Sequence, residues 1–175
     1  TTAGHAIAMM SARARQIPQA NASTHAGKWE KSRFMGVELF GKTLGVIGCG
    51  NIGSIVCDRA LGLKMKVAAY DPFLSEERAE DLGVDKVELD ELLARADFIT
   101  LHTPLNDATR GILNAASLAK ATRGLYIINC ARRRLMDEAD LTAALQSGQL
   151  AGAGLDALQP ALDGEGPDGR EDIAA

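Results

Sequence analysis

Three glycines spaced along residues 48–53 restrict the fold of this chain more than any other part of its sequence. The segment reads Gly48-Cys49-Gly50-Asn51-Ile52-Gly53, follows an apolar β-rich run and opens a stretch with helical spacing. In a strand–turn–helix unit, the first glycine allows the tight turn, the second lets a pyrophosphate approach, and the third lets helix and strand pack closely. The free N–H groups and the dipole of the helix start favour an anion. The motif alone leaves open an ordinary glycine-rich turn.

An acidic residue at the end of the next β-rich run strengthens the nucleotide interpretation. Asp71 lies 18 residues beyond Gly53, close to the ~20 expected for a ribose-binding acid. A carboxylate there can accept hydrogen bonds from both hydroxyls of an adenine ribose, and it would repel the additional phosphate of NADP. Pro72 and Phe73 follow instead of arginine, so NAD is the favoured cofactor. The alternative is a turn residue of an Asp-Pro pair.

Strand and helix patterns alternate along the middle of the chain. The β-rich runs are 43–48, 66–70, 86–89, 98–102, 125–130 and 151–156. Helical stripes between them are formed by Ile52, Ile55, Val56, Ala60 and Leu61, by Leu92, Leu93 and Ala96, and by Leu141, Ala144 and Leu145. Repeated β-α-β crossovers indicate a parallel sheet covered on both faces. The predicted fold is α/β, a doubly wound parallel six-stranded sheet (Rossmann) with helices on both faces.

The flanking zones differ from this core. Residues 1–40 are expected to form a helix that ends near Ile17, before Pro18, and then about twenty irregular residues around Trp29, all packing on the nucleotide domain. Residues 41–158 form the NAD-binding domain. Residues 159–175 are rich in glycine, proline and acids and are expected to be an irregular or disordered tail.

Charge and cysteine usage exclude several classes of function. With 19 Lys+Arg against 23 Asp+Glu, the chain has a net charge of −4 and no broad attraction for nucleic acid or anionic lipid. No apolar run approaches the ~18 residues of a membrane span. Cys49, Cys57 and Cys130 are widely spaced, which indicates small apolar fillers in a reducing compartment, the cytoplasm, rather than a metal site or a disulfide framework.

Ligands of doubly wound sheets bind beyond the carboxyl ends of the strands, so those ends carry the remaining candidates. They are His102, Thr103 and Pro104 after the fourth strand, Cys130, Ala131 and Arg132 after the fifth, and Asp156 after the sixth. Arg132 could bind a substrate carboxylate through two parallel hydrogen bonds, and Asp156 could accept from the nicotinamide carboxamide. His102 could shape the pocket with its backbone or act directly; the two readings stay open. His5 and His25 are read as surface or packing residues.

Several segments, in order and spacing, resemble one known family. They are LGVIGCGNIG, YDPFLS, ADFITLHTPLNDATRGILN, INCAR, MDEADLTAALQSGQLAGAGLD and the leading THAGKWEKSRFMGVELFGKT. Over about residues 1–158 the chain is similar to the D-isomer-specific 2-hydroxyacid dehydrogenases. The resemblance implies a nucleotide domain inserted into a substrate domain, hydride transfer between NAD and C2 of a 2-hydroxy acid, and pairing of nucleotide domains into homodimers through the first helix and the Trp29 loop.

The resemblance also implies roles for individual residues. The pyrophosphate would contact Asn51 and Ile52, and the adenine ribose would contact Asp71. Thr103, Cys130, Ala131 and Asp156 would line the cofactor. Arg132 would hold the substrate carboxylate and is the one catalytic residue expected in this chain.

The departures from the family pattern limit what this chain is expected to do alone. No His follows His102, so the family's catalytic His and both parts of the substrate domain are not found here, and residues 157–161 lack the family's partner Glu. Arg133 and Arg134 replace two glycines and could block the nicotinamide, face solvent or attract a phosphate. Because hydride transfer from an alcohol needs a base, the chain alone is expected to bind NAD but to turn over slowly or not at all. Two alternatives remain, an NAD-sensing corepressor-like binding module and a related dehydrogenase of lactate, glycerate or formate.

Overall fold

A computed structural model describes residues 1–156 of the chain. Six parallel strands form one sheet in the order β3-β2-β1-β4-β5-β6. The strands are β1 (Thr43–Ile47), β2 (Lys66–Tyr70), β3 (Asp85–Lys86), β4 (Phe98–Leu101), β5 (Leu125–Asn129) and β6 (Leu150–Leu155). This is the doubly wound order, and the fold prediction is confirmed. The predicted tail, residues 159–175, lies outside the described residues.

Helices cover both faces of the sheet. They are α1 (Thr2–Ala14), α2 (Ile17–His25), α3 (Asn51–Gly62), α4 (Glu76–Leu82), α5 (Leu89–Arg95), α6 (Ala115–Ala119) and α7 (Glu138–Ser147), with short 3-10 turns at Lys31–Phe34 and Arg133–Leu135. One buried apolar layer lies under α1, α3 and α4, and a second lies under α5, α6 and α7. The strand order reverses between β1 and β4, so the carboxyl ends of these two strands flank a natural crevice.

The central strands are apolar along nearly their whole length because both of their faces are covered. All four residues of β4 are buried. Close packing uses glycine where a side chain would not fit: a Cβ at Gly45 of β1 would lie 2.6 Å from the Leu92 side chain of α5.

The first helix is part of the nucleotide-binding fold. Helix α1 packs on α3 and on strands β5 and β6. A Cβ at Gly154 of β6 would lie 3.1 Å from the Met9 side chain, so the glycine allows α1 to approach the sheet. Met10 and Ala14 of the same helix are buried beside it.

The prediction for residues 17–25 was wrong. Pro18 does not begin an irregular stretch; it lies in the first turn of α2. Proline is tolerated there because a backbone N–H in the first turn would have no intrahelical acceptor. Gln16 joins the two helices in the left-handed region, with φ of 53°. His25 therefore ends a helix rather than lying in a loop.

Two further predictions need correction. Ile52 and Ile55 of the predicted apolar stripe are 41% and 44% exposed, because α3 contacts the sheet through Val56, Cys57 and Ala60. The run 86–89 is not a full strand: β3 ends at Lys86, and Leu89 begins α5.

Candidate nucleotide-binding site

The glycine segment joins β1 to α3 as a tight turn. Gly48, with φ of 92°, donates its N–H to the Tyr70 carbonyl at 2.9 Å. A Cβ at Gly48 would lie 2.6 Å from the Thr103 nitrogen, and one at Gly53 would overlap the Gly48 carbonyl oxygen. These two glycines therefore allow contact within the protein, between the turn, the end of β4 and the start of α3.

Gly50 differs from its neighbours because the space above it is open. A Cβ added to Gly50 would meet no protein atom within 4 Å. The first helical hydrogen bond runs from Ser54 to the Gly50 carbonyl at 2.9 Å, so the N–H groups of Asn51, Ile52 and Gly53 precede it and have no acceptor one helical turn back. An open surface with amide donors at the start of a 12-residue helix fits a diphosphate.

The Asp71 carboxylate, just after β2, faces this turn. Its Oδ2 accepts a hydrogen bond from the Cys49 N–H at 2.8 Å, and its Oδ1 accepts one from the Phe73 N–H at 2.8 Å. Each carboxylate oxygen keeps a further lone pair for a ribose hydroxyl. Asp71 thus also positions the turn, a role that the sequence spacing alone did not indicate.

The crevice beyond β4 and β5 brings seven of the predicted site residues together. A cleft of about 440 Å³ is lined by Thr2, Ile52, His102, Thr103, Pro104, Leu105, Cys130, Ala131 and Arg132. Thr2 and Leu105 were not predicted. Thr2 reaches the cleft because α1 begins beside it, a long-range contact with no local sequence signal.

His102 is a neutral residue tied to its own strand. Its ring Nε2 lies 2.8 Å from the Thr100 hydroxyl, and its backbone N–H donates to the Ile47 carbonyl at 2.8 Å. Burial lowers the pKa of His102 to about 4, so the imidazole is uncharged at neutral pH. Thr100, a buried hydroxyl within an apolar strand, was not predicted as its partner.

Arg132 sits on a turn that a buried amide holds in place. The Asn129 side chain, 4% exposed, accepts from the Ala131 N–H at 3.0 Å and donates to the Arg132 carbonyl at 3.1 Å. The Arg132 guanidinium is exposed and has no ion-pair partner within residues 1–156. Sequence reasoning missed Asn129, although a polar residue that ends a buried apolar strand is a usable signal.

Asp156 lies at the edge of the site, outside the residues that line the cleft. Its N–H donates to the Asn129 carbonyl at 3.1 Å, and its Oδ1 lies 3.2 Å from His5 Nε2 of α1. Both side chains are about half exposed. His5, for which the sequence predicts only a surface or packing role, thus contacts a predicted site residue.

The two arginines that follow Arg132 line a different depression. Arg133 Nε lies 3.2 Å from a Glu138 carboxylate oxygen. With Arg110 and Asp137, both arginines line a hollow of about 370 Å³, and neither lines the cleft that holds Arg132. In this structure, the Arg133 and Arg134 side chains therefore do not block the cleft that holds Arg132.

No helix within residues 1–156 is long and apolar enough to cross a membrane.

Comparison with known proteins gives a consistent result. The profile described as "D-isomer specific 2-hydroxyacid dehydrogenase, NAD binding domain" matches residues 7–166. D-3-phosphoglycerate dehydrogenase of Bacillus subtilis is 47% identical over 165 residues, which cover 93% of this chain and 31% of that protein. The chain thus spans about a third of the length of the curated relatives it matches.

Solved structures agree with this match. A pyruvate reductase of Chlamydomonas reinhardtii has a TM-score of 0.86 at 38% identity, covering 91% of this chain and 47% of that one. D-Lactate dehydrogenase of Aquifex aeolicus, solved with NAD and lactic acid, has a TM-score of 0.83 at 34% identity, covering 89% and 46%.

Proposed function

The chain belongs to the D-isomer-specific 2-hydroxyacid dehydrogenases, as their NAD-binding domain, and we propose that it serves the oxidation of D-3-phosphoglycerate in serine biosynthesis. Curated relatives at 47%, 48% and 51% identity, from a bacterium, an archaeon and a mammal, carry the name D-3-phosphoglycerate dehydrogenase. The solved structures named for pyruvate and lactate are less similar, at 38% and 34%. These names favour the phosphoglycerate enzyme over the lactate, glycerate or formate alternatives and over a corepressor-like module.

One observation carries the nucleotide part of the proposal. The Asp71 carboxylate is hydrogen-bonded to the Cys49 amide of the glycine turn at 2.8 Å. The expected ribose acceptor and the expected diphosphate donors are therefore held next to each other, as a dinucleotide would require. An ordinary glycine-rich turn or an isolated Asp-Pro turn would not require this contact.

The residues of this chain would divide the work as follows. Bound NAD supplies the hydride acceptor. Gly48, Gly50 and Gly53 shape the turn, and the N–H groups of Asn51 and Ile52 bind the diphosphate.

The rest of the cofactor and the substrate would occupy the cleft. Thr103, Pro104, Cys130 and Ala131 form its walls. The proposed role of His102 is to shape the cleft through its backbone, because Nε2 of its ring already contacts the Thr100 hydroxyl. Asp156 accepts from the carboxamide, and Arg132 orients the substrate carboxylate so that C2 faces the ring.

The proton of the substrate hydroxyl needs a different base. Of the residues that line the described cleft, His102 is the one imidazole, and with a pKa of about 4 it is a weak base. We therefore expect the 175-residue chain to bind NAD. Its turnover of D-3-phosphoglycerate should be slow or absent.

Calorimetric titration with NAD and NADP tests the cofactor assignment. Wild-type chain should bind NAD and not NADP. Asp71→Ala should weaken NAD binding at least tenfold, and Asp71→Asn, which keeps one acceptor oxygen, should weaken it less. Asp81→Asn, the same charge change on exposed α4, is the matched control and should change nothing. Equal NAD affinity in Asp71→Ala and wild type would refute the ribose assignment.

We propose, further, that a second copy of the chain packs against the first helix and the Trp29 loop, mainly through the exposed apolar residues between positions 17 and 40. Trp29, Met35 and Phe40 are 85%, 74% and 69% exposed, and Ile17 at the start of α2 is 53% exposed. Trp29, Phe34 and Met35 line a groove of about 700 Å³. Large apolar side chains concentrated in one segment are typical of an interaction surface.

The single tryptophan makes this test direct. Trp29 is the only Trp of the chain, so its emission reports this surface alone. On raising the concentration, emission should shift to shorter wavelength as light scattering reports a dimer. Met35→Glu should abolish both changes, while Phe73→Glu, an exposed aromatic distant in sequence, should abolish neither. A monomer at all concentrations would refute the proposal.

The cytoplasmic location is proposed on the cysteine usage alone, since widely spaced cysteines without a disulfide framework are typical of a reducing compartment. Cell fractionation with an antibody against the chain would test it.

A further inference from the structure

Two buried thiols face each other beneath the glycine turn. Cys49 is the second residue of the turn and Cys57 lies two helical turns into α3, and their sulfur atoms are 3.8 Å apart. Cys57 is fully buried and Cys49 is 8% exposed, both in the apolar layer between α3 and the sheet. The mechanism proposed above uses neither thiol, and the reading of both as inert apolar fillers did not foresee this contact.

The contact is close enough for a covalent bond after a small movement. A disulfide has a sulfur–sulfur distance of about 2.05 Å, so the two atoms need to approach by about 1.8 Å. Cys57 is held in the middle of a 12-residue helix within the core, whereas Cys49 lies in a turn with open space on its outer side at Gly50. Most of the movement would therefore fall on Cys49.

The two thiols are chemically unequal. Either thiol can donate the hydrogen bond between the two sulfur atoms. This contact lowers the pKa of Cys49 and outweighs burial, which acts in the opposite direction. The same hydrogen bond, together with burial, raises the pKa of Cys57. The positive charge of Arg78 also favours the Cys49 thiolate, whereas the Asp71 carboxylate opposes it. Cys49 is also the more exposed of the two, and it is thus the better nucleophile.

We propose that peroxide converts Cys49 and Cys57 to a reversible disulfide that weakens the dinucleotide site. The Cys49 thiolate attacks one oxygen of hydrogen peroxide and the O–O bond breaks. The other oxygen departs as hydroxide, and Cys49 becomes a sulfenic acid. The Cys57 sulfur then attacks the Cys49 sulfur, the S–O bond breaks, and water leaves with the Cys57 proton. Two thiols lose two electrons in all, and one peroxide becomes two waters once the hydroxide has taken up a proton. A thiol reductant reverses the change.

The disulfide would act on the contact that carries the proposed function. The Cys49 N–H is the donor that ties the turn to Asp71 at 2.8 Å. Drawing Cys49 towards α3 lengthens this hydrogen bond and moves the turn away from the ribose carboxylate. Bound NAD, which needs the turn in place, should in return slow the oxidation, because it holds Cys49 back from the approach to Cys57 that the disulfide requires. This consequence rests on the proposed function; the formation of the disulfide does not.

The full 175-residue chain should be oxidised with stoichiometric hydrogen peroxide, digested without reductant and mapped by mass spectrometry. We expect a peptide linking Cys49 to Cys57, formed several times more slowly in saturating NAD. Calorimetry on the oxidised chain should show NAD affinity at least tenfold lower, restored by dithiothreitol. Cys57→Ala should give no linked peptide and should accumulate Cys49 sulfenic acid, trapped by dimedone; Cys57→Ser is the second variant should the first unfold.

Each result decides a separate point. Absence of the linked peptide from folded, oxidised wild type would overturn the proposal. A linked peptide with unchanged NAD affinity would overturn its effect on the site. Failure of the fully reduced chain to bind NAD would instead refute the proposed function, and the peptide map would still report on the thiol pair.

Discussion

The two sides of the crevice are built differently. On the β1–β2 side, the turn and the acid are bonded to each other through Cys49 and Asp71, and Gly53 packs against the Gly48 carbonyl. On the β5–β6 side, only the backbone is fixed, by the buried Asn129 side chain. The charged groups there, Arg132 and Asp156, are exposed, and their one described ion pair is with His5.

The difference indicates how each side meets its ligand. The first side is organised before a dinucleotide arrives, so little ordering is left to oppose binding. The second side leaves its charges free to turn towards a ligand. Substitutions on the first side should therefore reduce stability and NAD affinity together, whereas charge substitutions on the second should reduce affinity alone.

The largest effect is expected from Gly53→Ala. Its methyl group would overlap the Gly48 carbonyl, and such overpacking of backbone should lower the free energy of unfolding by about 2–3 kcal/mol and abolish NAD binding. Urea denaturation and calorimetry measure the two effects. Gly62→Ala, at the far end of the same helix with no atom within 4 Å of the added carbon, is the matched control and should be neutral or stabilising. An unchanged free energy of unfolding in Gly53→Ala would show that the close contact with the Gly48 carbonyl does not constrain the turn.

Asn129→Ala tests whether the second side has any internal support. It leaves the Ala131 N–H and the Arg132 carbonyl without partners, which should lower the free energy of unfolding by about 1–3 kcal/mol. Asn129→Asp keeps the acceptor for Ala131 but buries a carboxylate oxygen against the Arg132 carbonyl, so it should be at least as destabilising. Urea midpoints compare the three proteins, and identical midpoints would mean that water replaces the amide.

The His102 ring should make stability depend on pH. Its pKa is lowered to about 4 in the fold, so the unfolded chain binds the proton first as the pH falls below about 6.5. Stability from this group is present above pH 6.5 and is lost towards pH 4, by about 1–2 kcal/mol at pH 5. His102→Asn should show a smaller drop between pH 7 and pH 5, with His25→Asn on exposed α2 as control. Parallel profiles for His102→Asn and wild type would contradict this.

The smallest effect on stability is expected at the edge of the site. The ion pair of His5 and Asp156 is exposed, and such pairs contribute about 0–1 kcal/mol. Asp156→Asn should leave the urea midpoint nearly unchanged and lower NAD affinity several-fold. A large loss of stability would erase the contrast between the two sides of the crevice.

The local sequence patterns predicted most of the fold and most of the residues that line the cleft, but not several contacts between site residues. Strand β2 was predicted to the residue: three buried apolar residues, 67–69, stand between Lys66 and Tyr70. The errors at Pro18 and Leu89 have a common cause: a proline or a leucine at an element boundary suits either the end of one element or the start of the next. Ile52 and Ile55 have helical spacing yet face outward, and spacing cannot say which of two adjacent stripes meets the sheet.

The predictions for the site depended on strand ends, which a topology argument can place. Six of the seven predicted residues that line the cleft follow strand ends, and the seventh, Ile52, belongs to the glycine motif. Three features of the site were not predicted: the hydrogen bond of Asp71 with Cys49, that of Thr100 with His102, and the place of Thr2 in the cleft lining. Each depends on a contact between distant segments or on a rotamer, and neither is encoded in local periodicity. The individual cofactor contacts stay predictions.

Helix α1 precedes the glycine motif by more than thirty residues, yet it covers β5 and β6 through Met9, Met10 and Ala14. A truncated chain that begins at β1 would lack this helix, and an apolar face of the sheet would be exposed to water. Such a fragment should aggregate when expressed, however intact its nucleotide signature looks on paper.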